Sequence, residues 1–252
     1  MERSFGELVD EAAEVDVSGW DFSWLRGRAT EERPTWGYQR LIGQRLAEAS
    51  AALDIQTGGG EVLDGVPAFP PTMVATEGWP PNVRLATQRL HPRGVVVVAD
   101  SPEPPLPFGD DAFDLVTSRH PATVWWGEIA RVLRPGGTYF AQHIGPRCNA
   151  ELYEFFLGPQ PDVAKARHPD IEGEAARTAG LDVVNMRMER LRVEFCDVGA
   201  VVYFLRKVIW TVPDFDVDRY RDELLELHRH IQAEGSFVAH SSRVLVEARK
   251  PG

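Results

Sequence analysis

The stretch Leu53–Leu63, LDIQTGGGEVL, decides the fold. Its apolar start reads as a strand that stops at Asp54–Ile55. Gly58, Gly59 and Gly60 then open a turn into a helix starting near Glu61. Glycine belongs where the backbone must take a positive φ or approach a ligand closely. The free N–H groups at a helix start favour polar or anionic groups. A second apolar strand ends at Glu77, about twenty residues on, where an open α/β sheet places an acid on ribose hydroxyls. The two points together imply a nucleoside-containing ligand at the carboxyl ends of the strands. A dinucleotide loop is excluded, because Leu63 stands where G-x-G-x-x-G needs its last glycine, and no Gly-Lys-Ser/Thr marks a P-loop. With no pyrophosphate to hold, the carboxylate of Asp54 can orient the ammonium of an amino-acid moiety.

Outward from this turn the pattern repeats. AALDI (51–55), TMVAT (72–76), GVVVVA (94–99), FDLVTS (113–118) and GTYFAQHI (137–144) are short apolar runs punctuated by Gly and Pro. Each reads as a strand buried on both faces. PPNVRLATQRL carries Val83, Ala86 and Leu90 on one helical side, and VWWGEIARVL carries Trp125, Ile129, Val132 and Leu133. Near-continuous apolar strands alternating with helices indicate a parallel sheet covered on both sides. Later, LDVVNMRMERLRVEF reads as one long or two successive strands, DVGAVVYFLRKVIW as a helix capped by Asp197, and SRVLVEAR as a closing strand. DVDRYRDELLELHRHI is the clearest helix, with Val217, Tyr220, Leu224, Leu227 and Ile231 in one stripe.

The expected architecture is a doubly wound, mostly parallel, seven-stranded α/β sheet of Rossmann-like type. Residues 1–49 form an N-terminal helical and aromatic lid segment. Residues 50–252 form the main domain, in which 150–242 carry helical, substrate-side additions.

The chain has 252 residues and a net charge of −11. An acidic surface repels a phosphate backbone, which argues against a nucleic-acid partner. Cys148 and Cys196 are the only cysteines. They form neither a disulfide framework nor a metal-ligand cluster, so no metal is expected and a reducing compartment fits. The longest apolar run, Val198–Leu205, is too short to span a bilayer. The expectation is a cytoplasmic protein, monomer or homodimer, with no membrane.

Four stretches carry a resemblance to the class I S-adenosylmethionine-dependent methyltransferases, in particular the small type 11 domains. They are ALDIQTGGGEVL, VATEGWPPNVRLA, ADSPEPPLPFGDDAFDLVTSRH and EIARVLRPGGTYF, together covering roughly residues 50 to 145. The resemblance implies S-adenosyl-L-methionine as cofactor and a small-molecule methyl acceptor, methylated on oxygen or nitrogen. It also implies roles. Asp54 through Gly60, with Gln56, Thr57 and Gly58 between, would wrap the methionine end. Glu77 would bridge the ribose hydroxyls, and Gly78–Trp79 would pack beside the adenine. Asp100 would accept from the adenine amine, and the Ser101 backbone would meet the ring edge. Ser118 and Arg119 would offer backbone near the methionine group.

Gln56 departs from the family, which usually has glycine there. Either it points away from the ligand, or it narrows the site and marks a domain with weakened or lost catalysis. For a base, His120 after the fourth strand and His143 near the end of the fifth are the candidates, each weighed against a structural role. His228 and His230 are two apart on a helix and cannot form an i, i+4 metal pair. Trp20, Trp24, Trp36 and Tyr38 serve either as a water-excluding lid or as core. The rival functions are an RNA or protein methyltransferase, and a methyltransferase-fold binding protein without activity.

Overall fold

The computed structural model describes the chain apart from residues 1–2, 18–19, 101–102 and 163–165. In chain order its elements begin with α1 (Phe5–Glu14), β1 (Ala29–Glu31), α2 (Tyr38–Glu48), β2 (Ala51–Asp54), α3 (Glu61–Asp64) and β3 (Thr72–Glu77). Next come α4 (Pro80–Leu90), β4 (Val96–Ala99), β5 (Phe113–Arg119), α5 (Trp126–Val132), β6 (Leu133–Ile144) and α6 (Ala150–Leu157). The last are α7 (Pro169–Thr178), β7 (Asp182–Phe195), α8 (Val198–Lys207), α9 (Arg221–Glu234) and β8 (Phe237–Arg249). The chain divides into two compact units.

The larger unit comprises Pro34–Gly145, Arg167–Glu189 and Arg243–Gly252. Its strands run in the order β7-β8-β6-β5-β2-β3-β4. They are parallel from β6 to β4 and antiparallel at β6–β8. From β2 the chain winds outward through β3 to β4, then returns to β5 on the other side of β2. The carboxyl ends of β2 and β5 therefore flank the point where the winding reverses, the place where open α/β sheets bind ligands. Two apolar layers cover the sheet. Trp126, Ile129 and Val132 of α5 pack with Tyr139, Ala141 and Val246. Ile42, Leu46, Ala86 and Leu90 of α2 and α4 pack with Ala52, Ala75 and Phe140 on the other side.

The smaller unit comprises Met1–Arg33, Pro146–Ala166 and Arg190–Ser242. Ser4 and Glu7 close a capping box at the start of α1. Asp197 Oδ1 accepts from the Ala200 N–H at 2.8 Å, capping α8 as its sequence suggests. The α9 stripe Leu224, Leu227 and Ile231 is buried with Val201, Val202 and Leu205 of α8. Arg206 donates to the carbonyls of Ala12 and Val15, and Lys207 to that of Val17. These two cations hold the N-terminal segment's backbone.

The doubly wound, mostly parallel α/β sheet stands as expected, with differences that have local causes. Among the described residues the sheet has eight strands, because the N-terminal segment adds the short β1, antiparallel to β7. β4 is an edge strand, so Val96 is 56% exposed where a two-sided burial was expected. The helix after the glycine turn is a single turn, closed at Gly65. In α4 the buried face is Asn82, Ala86 and Leu90, with Asn82 where Val83 was expected. Of the aromatic residues expected as lid or core, Trp36 and Tyr38 are core at 4% and 6% exposure. No helix among the described residues is long and apolar enough to cross a membrane.

Candidate functional site

All the expected ligand-facing residues lie in the larger unit. Asp54 ends β2 and is 6% exposed. Its Oδ1 accepts from Thr117 Oγ1 at 2.5 Å. Burial pushes its carboxyl up to about 6, with Glu77 adding to the rise and hydrogen bonding from Thr117 and Thr57 opposing it. The turn that follows needs left-handed backbone at Gly58 (φ 65°) and Gly60 (φ 80°). A Cβ on Gly60 would lie 2.8 Å from Leu90 Cδ1, so this glycine is what lets α4 close on the turn. Arg89 of α4 braces the turn from the side, donating to the Gly59 carbonyl and, at 2.8 Å, to Glu61 Oε1.

Glu77 joins the two halves of the expected nucleoside site. It is 9% exposed at the tip of β3. Its Oε2 accepts from the Gly58 N–H at 2.7 Å, and its Oε1 from the Trp79 N–H at 2.9 Å. One carboxylate thus ties the glycine turn to the start of α4. Each oxygen keeps a further lone pair for a ligand hydroxyl. Gly78 and Trp79 are exposed beside it, and the Asp100 N–H donates to the Glu77 carbonyl at 3.0 Å. Ser101 lies outside the described residues.

Gln56 is not a stray bulky group. It adopts left-handed backbone, φ 57°. Its amide Nε2 donates to the Thr123 carbonyl at 2.8 Å, and its Oε1 accepts from the Ala122 N–H at 2.6 Å. The side chain therefore latches the glycine turn to the loop after β5, across the point where the winding reverses. Arg167 holds the same loop by donating to the carbonyls of Pro121 and Ala122. Left-handed backbone costs a non-glycine residue about 1–2 kcal/mol, and two hydrogen bonds return about 0.5–1.5 kcal/mol each. Gln56→Gly is accordingly expected to change stability by less than about 1 kcal/mol, whereas Gln56→Ala, which keeps the strain and loses both bonds, costs about 1–3 kcal/mol. Urea denaturation of the two variants checks this: both lose the latch bonds, so equal losses would mean that the left-handed backbone at Gln56 costs nothing, and an unchanged Gln56→Ala would mean that the bonds contribute nothing.

At the tip of β5, Ser118 is buried. Its Oγ donates to the Ile55 carbonyl at 2.8 Å, and its own carbonyl accepts from Tyr38 Oη at 2.9 Å. Arg119 is exposed next to it. His120 follows in left-handed conformation, φ 57°. Trp36 Nε1 donates to Gln142 Oε1 at 2.8 Å, which fixes the orientation of that amide. Gln142 Nε2 then donates to His120 Nε2 across 2.9 Å. This chain leaves the His120 proton on Nδ1. Burial, followed by the positive charges of Arg119 and Arg243, holds its pKa well below the usual histidine range. His120 is therefore a neutral imidazole whose basic nitrogen is already engaged.

His143 is 3% exposed on the α5 face of β6. Its Nε2 pairs with Tyr139 Oη at 2.9 Å, and it packs on Trp126. Burial pushes its pKa down to about 3. This is the environment of a satisfied core histidine. Among the described residues no group of three His, Cys, Asp or Glu side chains could hold a metal ion. Arg89, Gln142 and Arg167 hold the site without any sequence signal, and Trp36, a lid-or-core candidate, acts by orienting Gln142. Each acts through a partner distant in sequence, and no local pattern marks such a partner.

Residues 53–141 match the family model for a methyltransferase domain. The match spans the four stretches on which the sequence resemblance rests. No protein of curated function matches the chain by sequence. Among solved structures, a Bacillus halodurans C-125 protein provisionally named a methyltransferase aligns at 19% identity and a TM-score of 0.60, covering 85% of this chain and 99% of that one. The YcgJ protein of Bacillus subtilis aligns at 18% identity and a TM-score of 0.61, covering 85% and 98%. A phosphoethanolamine N-methyltransferase of Haemonchus contortus, solved with phosphomonomethylethanolamine and S-adenosylhomocysteine, aligns at 17% identity and a TM-score of 0.53, covering all of this chain and 61% of that one. At these identities the likeness is one of fold.

Proposed function

We propose that this chain, whose residues 53–141 match a methyltransferase domain, binds S-adenosyl-L-methionine and directs methyl transfer to an oxygen or nitrogen of a small molecule. The observation that carries the proposal is the Glu77 carboxylate, which holds the Gly58 and Trp79 N–H groups together at a strand tip. The residues present fit the cofactor. Asp54 and Glu77 at neighbouring strand tips supply carboxylates for an ammonium and for ribose hydroxyls, beside a turn in left-handed glycine backbone. In this reading Asp54, Gln56, Thr57, Gly58 and Gly60 line the methionine end, and Glu77 takes the ribose. Gly78, Trp79, Asp100 and Ser101 frame the adenine, while Ser118 and Arg119 offer backbone beside the transfer.

The bound cofactor supplies an electrophilic methyl group. The chain's own part is to hold the acceptor in line with it, which is worth about 7–11 kcal/mol at best. A base is needed only when the nucleophile must lose a proton. His120, neutral and with its free hydrogen on Nδ1, suits the orienting of an acceptor oxygen or nitrogen better than proton removal. His143 keeps a packing role. Gln56 supports a second reading, a fold that binds the cofactor without turnover, because its latch ties together the two loops that flank the methionine end.

Calorimetry with S-adenosylmethionine and S-adenosylhomocysteine tests the proposal, with saturable one-site binding expected of both. Glu77→Ala is expected to weaken binding by about 1–3 kcal/mol, the scale of a lost charged hydrogen-bond partner. Unchanged affinity would place the ribose elsewhere. No binding by the unaltered chain would overturn the proposal, and tight binding without turnover across acceptor libraries would favour the second reading.

A further inference from the structure

Asn82 is a polar side chain buried without a partner. It is 4% exposed in the first turn of α4, and its Oδ1 makes no hydrogen bond. It continues the face of Ala86 and Leu90, the two residues that close on Gly60. Helical side chains lean toward the helix N-terminus, so Asn82 leans toward the end of α4 where the Trp79 N–H meets Glu77 Oε1 at 2.9 Å. Pro80 and Pro81 occupy the first two helical positions and carry no N–H. No side chain caps this helix start. Buried amides in folded proteins are almost always hydrogen-bonded, and one that is not calls for a ligand or an ordered water.

We propose that Asn82 is a ribose-reading residue of the nucleoside site, its amide pairing with a sugar hydroxyl beside the Glu77 carboxylate. The inference rests on the cofactor reading above and adds a residue that no strand-tip pattern marks. An amide both donates and accepts, so it serves a hydroxyl that itself donates to Glu77. The consequence is a split of roles at one sugar: Glu77 supplies charge and ties the turn together, and Asn82 supplies discrimination.

The test uses the full chain and three probes, S-adenosylhomocysteine and its 3′-deoxy and 2′-deoxy analogues, titrated into the unaltered protein, Asn82→Leu and Asn82→Ala. The unaltered protein is expected to bind at least one deoxy analogue about tenfold or more weakly than the parent, the scale of one lost hydrogen bond. Asn82→Leu is expected to bind the parent about tenfold more weakly and to lose most of the deoxy penalty. Its melting temperature without ligand should equal or exceed that of the unaltered protein, because an unpaired buried amide gives way to an apolar side chain of similar size. A merely structural asparagine would show the opposite, a lower melting temperature with an unchanged deoxy penalty, and that result overturns the inference while leaving the cofactor reading intact. Equal affinity of all three proteins for the parent overturns it too. Should the unaltered protein bind no S-adenosylhomocysteine, the cofactor reading falls and the inference with it. Asn82→Ala guards against a packing clash from leucine and is expected to show the same loss of discrimination.

Discussion

Gly60→Val is expected to destabilise the chain by roughly 2–5 kcal/mol, through two costs that fall on one atom. The first is conformational. Gly60 sits at φ 80°, where a side chain brings its Cβ against its own backbone, at about 1–2 kcal/mol. A β-branched residue is among the worst suited to that region. The second is packing. A Cβ there would lie 2.8 Å from Leu90 Cδ1, 3.0 Å from Leu90 Cγ and 3.5 Å from the Ala86 Cα. Both neighbours are fully buried, so neither can swing into solvent, and overpacking of this kind costs about 1–3 kcal/mol. Adding Leu90→Ala should relieve the second cost and not the first, while opening a cavity of its own. Denaturation in urea reads the difference. A loss under about 1 kcal/mol would mean that the turn has another backbone conformation available. The same position governs the site, because Gly60 is the N-cap of α3 and its N–H bonds the Thr57 carbonyl at 3.3 Å. A displaced turn should therefore also weaken the grip of Glu77 on Gly58.

That glycine and the acid at the next strand tip are legible in the sequence because local chemistry dictates them. A left-handed turn demands glycine whatever surrounds it, and a strand buried on both faces must be apolar until it reaches its tip. The same logic made β2, β3 and β5 readable and left β4 misjudged, since exposure at a sheet edge depends on strand order and not on composition. Side-chain partnerships are of another kind. Gln56 meets Ala122, and Trp36 meets Gln142, across 66 and 106 residues of chain. Nothing near Gln56 in the sequence says that its amide will span two loops, so its departure from glycine could be seen but not its use. Asn82 was hidden by a periodicity that also admits Val83. The helical pattern locates a buried stripe to within one residue, and the difference between those neighbours is the difference between a core contact and an unpaired amide.

Asp54→Asn is expected to raise stability at pH 8 by up to about 3 kcal/mol while leaving it nearly unchanged at pH 4. The carboxyl of Asp54 titrates near 6 in the folded chain against 3.8 in the ordinary state, chiefly because burial disfavours its charge. A raised folded value means that the protonated group favours the fold. Its contribution is full below 3.8 and is lost as the pH climbs through 6. Above that, the native state carries a buried ion that costs 6 minus 3.8, or 2.2 pH units, equivalent to about 3 kcal/mol at 1.36 kcal/mol per unit. Asparagine keeps the shape and an oxygen to accept from Thr117 Oγ1, and it carries no charge to desolvate. Many surface carboxylates also titrate between pH 4 and 6, so the informative quantity is the difference between the two proteins measured by urea unfolding at each pH. If that difference is flat from pH 4 to 8, Asp54 is ionised without penalty and its burial is compensated by groups not named above. The destabilised ion has a functional counterpart in the proposed role. A ligand ammonium placed near Asp54 would favour the carboxylate, so binding should release a proton near pH 6 and tighten as the pH rises through that value. The asparagine variant should bind more weakly at pH 8 and show neither effect, trading the affinity that the buried charge provides for the stability that it costs.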